Sequence, residues 1–437
     1  MGIKVSAYKG MRDFLPSDML KRNYVINTIE EIFKNYGFDP IETPAIELWD
    51  TLSGKYGDEE KLLYTFQDRG ERKVGLRYDL TVPFSRFVAN HLNELPRPFK
   101  RYQIQPVWRA DKPQKGRFRE FYQCDIDIIG VRSVIADAEI LKVIYTVLEK
   151  LGFKDFRINV NSRKLFSLLA DFLKASEEKE FLIARAIDKL DKVGIEGVKS
   201  ELEKYGFNKE EISKLEDVLS VAGGNSEKLK KLENFLGKEE KFKDFFDEID
   251  TLLKYCSVFG IPEKHINFNP FLARGLDYYT GPIFETTIVS PKIGSITGGG
   301  RYDNLIGIFS NTQIPATGSS IGLERIITVM DELNMYPFDR TTYTKVLIAV
   351  QDKRFMEDLI SLAEGLRGKN IPTELYLGNK DLRGQINYAL KKGIELMVIL
   401  GEDEKRKGIL TLKILSQKKQ ITVEKEKLTE EIVKLIK

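Results

Sequence analysis

Residues 99–130 read FKRYQIQPVWRADKPQKGRFREFYQCDIDIIG. Two runs of alternating apolar and polar residues flank a loop loaded with cations, and a period of two marks a β-strand with one buried face. Runs of this kind joined by a polar loop pair antiparallel. This stretch therefore commits the chain to an antiparallel sheet. The first strand ends at Arg109, the loop holds Lys112, Lys115 and Arg117, and the return strand carries Arg119, Glu120, Gln123, Asp125 and Asp127. Gln123, Asp125 and Asp127 stand two apart and share a face. A loop that gathers cations can hold a triphosphate, because a guanidinium makes forked, charge-assisted bonds to phosphate oxygens. It can equally be a basic turn beside a polar sheet face.

Helices flank this hairpin. In SDMLKRNYVINTIEEIFKNYGF, Val25, Ile29, Ile32 and Tyr36 recur at helical spacing, with Ser17 or Asp18 as N-cap and Gly37 as C-cap. Prolines 40 and 44 then bias the chain to extended backbone, and LLYTFQDRGERKVGLRYD reads as two short strands. VIADAEILKVIYTVLEKLGF is a second amphipathic helix. From about residue 163 to 256 the chain is rich in Lys, Glu and Leu and has no proline, which predicts a helical insertion. Strands resume in ARGLDYYTGPIFETTIV and GSITGGGRYDNLIGIF, and SSIGLERIITVMDEL is again helical.

NMYPFDRTTY reads as a linker. Beyond it KVLIAV, FMEDLISLAEGLRGKN, IPTELYL, LRGQINYALKKG and IELMVILG alternate strand and helix, the pattern of βαβ units and a mostly parallel sheet. The expected fold class is α+β. An antiparallel sheet core flanked by helices fills residues 1–330, with the insertion at about 163–256. A linker follows at 331–342, then a C-terminal α/β domain at 343–437.

Composition narrows the chemistry. The 69 basic and 66 acidic residues leave a net charge of +3, so contact with a nucleic acid must use local patches. Two cysteines, Cys124 and Cys256, make neither a disulfide framework nor a zinc quartet. Two histidines, His91 and His265, stand in no metal-ligand spacing, which disfavours zinc hydrolysis and Ser-His-Asp chemistry. The start MGIKVSAYKGMRDFLP lacks the apolar core of a secretory signal, and no 18-residue apolar run occurs. A cytoplasmic protein without membrane contact is expected. If the chain is an enzyme, its chemistry must run mostly on arginines and carboxylates, with room for Mg²⁺.

Four more stretches carry polar residues in unusual company. ARGLDYYTGPIFE, residues 273–285, sets Arg274, Asp277, Tyr278 and Tyr279 side by side. SSIGLERIITVM places Arg325 in the first turn of a helix, where a cation is unfavourable without anionic company. In GLRYDLTVPFSRF, Asp79 and Thr81 flank Leu80 on a presumed strand, a carboxylate and a hydroxyl suited to an amino group. GGGRYDNL, residues 298–305, lacks both nucleotide-loop patterns and reads as a tight turn allowing close backbone approach. Each alone is also read as a cap, a surface helix or a solvated turn.

Their order and spacing resemble the histidyl-tRNA synthetases, class II aminoacyl-tRNA synthetases, over essentially the whole chain. YKGMRDFLP resembles the family's N-terminal stretch, and the region from Gly37 to Glu42 with Pro44 resembles motif 1. Residues 101–127 resemble motif 2, Gly322-Leu323-Glu324-Arg325 motif 3, and RGLDYY and GGGRYDNL the signatures peculiar to the histidine enzymes.

The resemblance implies ATP as substrate with Mg²⁺ accompanying it, histidine and its tRNA as partners, a C-terminal anticodon reader and a homodimer. It implies Arg274 and Arg109 at the α-phosphate and carboxylate, Arg325 at the far phosphates, and Arg117 as helper. It assigns the amino group to Asp79, Thr81 and Gln123, with Leu80 between, and the imidazole to Asp127 with Tyr278 and Tyr279. Many bacterial members carry glutamates where this chain has Asp79 and Asp127, and the aspartate form resembles archaeal and eukaryotic ones. Two other readings stay open: the non-catalytic regulatory subunit of ATP phosphoribosyltransferase, which shares the catalytic fold, and another class II synthetase.

Overall fold

The structure, a computed structural model, describes residues 5–187, 189–237, 239–273 and 278–436. They divide into two compact units, Met1–Asp13 with Arg22–Met335, and Phe14–Lys21 with Tyr336–Lys437.

In the first unit the strands are β1 (Asp39–Pro40), β2 (Ile46–Leu48), β3 (Thr65–Gln67), β4 (Lys73–Leu76), β5 (Phe99–Trp108), β6 (Glu120–Ile129), β7 (Phe156–Ser162), β8 (Ile266–Phe268), β9 (Pro282–Ile288), β10 (Thr297–Arg301) and β11 (Ala316–Gly322). The main sheet runs in the order β1-β5-β6-β11-β10-β9-β7-β8, and β2-β4-β3 form a small separate sheet. Inside the main sheet every pairing is antiparallel, and only the edge pairs β1–β5 and β7–β8 are parallel.

The hairpin expected from residues 99–130 is the β5–β6 pair. Its register sets Arg101 opposite Asp127, Gln103 opposite Asp125 and Gln105 opposite Gln123. On the other side of β6, Asp127 faces Gly318, Asp125 faces Ser320 and Gln123 faces Gly322. A stripe of polar side chains thus crosses the middle of the sheet. It is tolerable there only if its members satisfy one another or a ligand.

Helices occupy the chain between Lys164 and Val258, between neighbouring strands β7 and β8. Leu165, Phe166, Leu169, Val198, Leu202, Phe242 and Phe245 pack into their own core, which also takes in Phe268 of β8. Burying a large apolar side chain contributes about 1.5–3 kcal/mol, enough for such a cluster to hold these helices together.

Three local expectations are corrected. The first helix spans Pro16–Asn35, starting before the expected cap residues. Proline suits the first helical position, and Asp18 sits two residues inside, accepting from the Leu15 amide at 3.1 Å. Asp79 and Thr81 are not on a strand: Thr81 opens the helix Thr81–Asn90. The GGGRYDNL glycines form no tight turn but lie within β10, in mid-sheet.

In the second unit β12 (Val346–Ile348), β13 (Thr373–Leu375), β14 (Leu396–Ile399), β15 (Ile409–Ile414) and β16 (Lys419–Glu424) make a sheet in the order β13-β12-β14-β15-β16. The first two pairings are parallel and the last two antiparallel, so the sheet is only half parallel as expected. Val346 and Ile348 face one apolar cluster and Leu347 the other, so β12 is buried on both faces as central parallel strands are. Among the described residues no helix is long and apolar enough to cross a membrane.

Candidate active site

A cavity of about 300 Å³ opens over the polar stripe of the main sheet. Asp79, Thr81, Arg109, Arg117, Gln123, Asp127, Tyr278, Tyr279 and Arg325 all line it. Leu80 does not: it is fully buried at the N-cap of the Thr81–Asn90 helix. Arg274 and Asp277 lie outside the described residues.

The floor is built by β6, β10 and β11. Glycines keep it low. A Cβ on Gly299 would fall 2.1 Å from the Gly318 carbonyl oxygen, and one on Gly318 only 1.9 Å from Asp127 Oδ1. Side chains cannot occupy those positions, so Asp127 lies flat over Gly318. Its Oδ1 accepts from the Tyr302 hydroxyl, and its Oδ2 stands 2.5 Å from Arg101 Nη2. Arg101 is completely buried, stacked 4.3 Å from the Phe84 ring. The Arg101–Asp127 attraction is one of charge and closeness, since no aligned N–H bond joins the two atoms. Burial pushes the Asp127 carboxyl above its ordinary range, although Arg101 and Tyr302 pull it back.

One end of the cavity is made by Asp79. Its Oδ1 accepts from Tyr56 at 3.1 Å and from the Val82 amide at 3.2 Å, and its Oδ2 from Tyr278 at 3.5 Å. The Val82 bond makes Asp79 a cap for the helix that follows, where the helix dipole favours an anion. Burial still raises its affinity for a proton, against the Val82 amide and Arg109. A buried carboxylate with a phenol on each oxygen and Thr81 beside it suits a cationic amino group.

Three guanidiniums also line the cavity. Arg109 donates through Nε to the Tyr78 carbonyl at 3.0 Å and lies 4.1 Å from the Tyr78 ring. Burial weakens its hold on the proton, but Tyr78, Glu59, Asp79 and Asp111 outweigh that and the net shift is upward. Arg117 is clamped by Asp111 in a two-bond fork, both bonds 2.8 Å. Arg325, in the first turn of the helix Leu323–Glu332, donates to the Ser295 carbonyl and reaches the Gly116 carbonyl at 3.4 Å. These bonds fix three guanidiniums around one mouth before any anion arrives. Preorganisation of that kind is what charge stabilisation in a transition state requires.

Several residues that shape the site were not singled out from the sequence. Arg101 pairs with Asp127 across β5 and β6, and the same alternation that groups Gln123, Asp125 and Asp127 puts Arg101, Gln103 and Gln105 opposite them. Tyr302 stands inside GGGRYDNL itself. Glu324 lines the cavity while Arg22 Nη1 holds both its oxygens, at 2.8 and 2.9 Å, and Arg12 pairs with it as well. Nothing local to the sequence links Arg12 to Glu324; only the fold does.

Comparison with known proteins agrees with this geometry. Residues 10–326 match the family described as Histidyl-tRNA synthetase, and residues 345–435 match the Anticodon binding domain. A histidine--tRNA ligase of Cytophaga hutchinsonii is 40% identical across 96% of this chain and 97% of that protein. One from Aeropyrum pernix is 40% identical across 95% and 94%. The crystal structure of histidyl-tRNA synthetase from Nostoc sp. superposes with a TM-score of 0.88 at 33% identity, covering 100% of both chains. On the length of these matches, the chain belongs to the histidyl-tRNA synthetase family.

Proposed function

We propose that this chain joins L-histidine to its tRNA through a histidyl-adenylate. A carboxylate oxygen of histidine attacks the α-phosphorus of ATP and pyrophosphate leaves. A ribose hydroxyl of the tRNA then attacks the acyl carbon and AMP leaves. The observation that carries the reading is the lining of one cavity, which brings buried carboxylates and phenols together with held guanidiniums; we assign the first group to one end and the second to the other. The first end suits an ammonium and an imidazole, whose two ring nitrogens each need a partner. The second suits the two anions that must meet, and the charge that grows between them.

The roles follow from this polarity and the family resemblance. Asp79, Thr81 and Gln123 hold the amino group, and Asp127 with Tyr278 and Tyr279 the imidazole. Arg109 and Arg274 serve the α-phosphate and carboxylate, Arg325 the outer phosphates, and Arg117 assists. Among the described residues no three His, Cys, Asp or Glu side chains come together to hold a metal ion. By the family resemblance Mg²⁺ accompanies ATP as part of the substrate, where it would neutralise phosphate charge.

Residues 1–330 form the catalytic domain with its helical insertion at about 163–256, and residues 343–437, after the 331–342 linker, read the anticodon. The protein is a cytoplasmic homodimer in this reading. Support for the dimer comes from Ile46, Leu48 and Phe66, apolar and 43–56% exposed on the small β2-β4-β3 sheet next to the motif 1 stretch.

Histidine-dependent exchange of pyrophosphate into ATP tests the reading. A regulatory subunit of ATP phosphoribosyltransferase would show no exchange, and another class II synthetase would prefer a different amino acid. Sedimentation of Leu48→Asp against wild type tests the dimer: an unchanged mass would exclude this face.

A further inference from the structure

The cavity holds three buried carboxylates over its amino-acid end, and two of them are already engaged. Asp79 accepts on both oxygens, and Asp127 has Tyr302 on one and, on the other, the Arg101 charge at 2.5 Å without an aligned hydrogen bond. Asp125 differs. It lines the same cavity, is 98% buried by its 2% exposure, and its Oδ1 has no hydrogen-bond partner. The Gln123 amide donates to Ser320 Oγ at 2.8 Å, and Ser320 in turn bonds to the Asp125 carboxyl, so the rest of this side chain is held in place. The Oε1 of Gln123 and the Oγ of Ser319 are also buried and without partners. A buried acceptor left open in this way costs about 1–3 kcal/mol, a cost that persists when a ligand routinely supplies the missing donor.

We infer that Asp125 is a further histidine-binding residue of this chain, its Oδ1 accepting an N–H from the ammonium or from the near ring nitrogen of the bound amino acid. The inference rests on the function proposed above. Its place supports it: Asp125 stands midway between Gln123 and Asp127 on one face of β6, and successive side chains on a strand face are about 6.5 Å apart. A ligand that spans from one to the other passes over it.

The charges around Asp125 set how it binds. Arg101 approaches from β5, Asp127 from β6, Asp79 from the helix start, Arg77 from the end of β4, and Ser320 from β11. Burial is the largest influence and, with Asp127, it outweighs Arg101, lifting Asp125 to about 7. An empty site therefore keeps a proton on Asp125 below neutrality. A donor arriving at Oδ1 favours the carboxylate, so histidine binding must displace that proton.

Calorimetric titration of the full-length chain with L-histidine tests this, in two buffers of different ionisation enthalpy on the acid side of neutrality. Asp125→Ala is expected to weaken histidine about 5- to 100-fold with ATP affinity unchanged. Asp125→Asn keeps the shape and is expected to lose the proton released by wild type. The imidazole of free histidine titrates in the same range, so the difference between wild type and variant is the quantity read. Equal affinity and equal proton release in the variants would overturn the inference. If Asp125→Ala does not fold, the histidine affinity of Asp125→Asn decides, with its proton count beside it. Wild type that binds no histidine would instead overturn the function reading itself.

Discussion

Arg101 and Asp127 face each other from paired strands, side chains 0% and 3% exposed, with 2.5 Å between Nη2 and Oδ2. The two charges are a unit: neither can be buried alone. Arg101→Met is expected to cost about 3–5 kcal/mol, because it leaves an uncompensated carboxylate. The sign with pH follows from the raised proton affinity of Asp127. Without Arg101 that affinity rises further, so the deficit against wild type should be greatest at alkaline pH and shrink as acid protonates the carboxyl. Thermal melts across pH check this; a deficit that grows in acid would refute the pairing.

Gly318→Ala should strike the same carboxylate from below. Its Cβ would sit 1.9 Å from Asp127 Oδ1 and 2.6 Å from the Ile126 carbonyl oxygen. Backbone on one side and a held side chain on the other leave nowhere to move. The expected result is about 1–3 kcal/mol of lost stability, together with a histidine KM that rises while that for ATP holds. Equal rises in both would mean that the floor serves the whole cavity rather than its amino-acid end.

Arg12 reaches the opposite end. It lies 3.3 Å from the centre of the Phe118 ring and pairs with Glu324, and both partners line the cavity. It thus joins the cationic loop to the start of the helix that carries Arg325. Arg12→Ala should lose about 1 kcal/mol of ATP binding, roughly fivefold in KM, leaving histidine KM flat. A change confined to histidine would mean that Arg12 serves the other substrate.

Arg274→Ala is expected to slow adenylate formation by about 100- to 1000-fold, the usual cost of one preorganised group aimed at developing charge. Arg274→Lys should not restore it, since a point charge replaces a fork. Pyrophosphate exchange within a few-fold of wild type would remove Arg274 from the catalytic set.

Truncation after Arg340 should separate two activities. All the residues assigned above precede it, so the fragment is expected to make histidyl-adenylate and to lose most tRNA charging. Phe14–Lys21 group with the second unit, so a lower melting temperature should accompany the cut. Pyrophosphate exchange, aminoacylation and circular dichroism of the fragment read the three outcomes. Equal loss of both activities in a folded fragment would mean that the second unit shapes the active site.

Periodicity made the β5–β6 hairpin and its polar face readable, because alternation survives any tertiary context. It did not show that Arg101 belongs to that face: the partner strand was seen, but its register could not be. Asp79 and Thr81 were read as a strand, yet they stand at the start of the helix Thr81–Asn90, which has Pro83 in its first turn. Proline is tolerated in the first turn, where the missing N–H has no intrahelical partner to lose. The β10 glycines suggested a turn because the feature that demands glycine at Gly299 is the approach of the Gly318 carbonyl and Phe284 from the neighbouring strands. In the second unit, the strand–helix alternation before Ile399 was carried past it, and the antiparallel pair Ile409–Ile414 with Lys419–Glu424 was missed.

The glycine floor also limits how this protein could change. At Gly299 and Gly318 the side chain is already as small as chemistry permits, and any added atom collides with something fixed. No substitution there can enlarge the cavity. Selection for a bulkier amino acid would have to hollow out the walls, where Tyr278 and Tyr279 supply groups proposed above to recognise the present one. A gain in size would come with a loss of discrimination, so the route from this pocket to a roomier, equally selective one is closed to single steps.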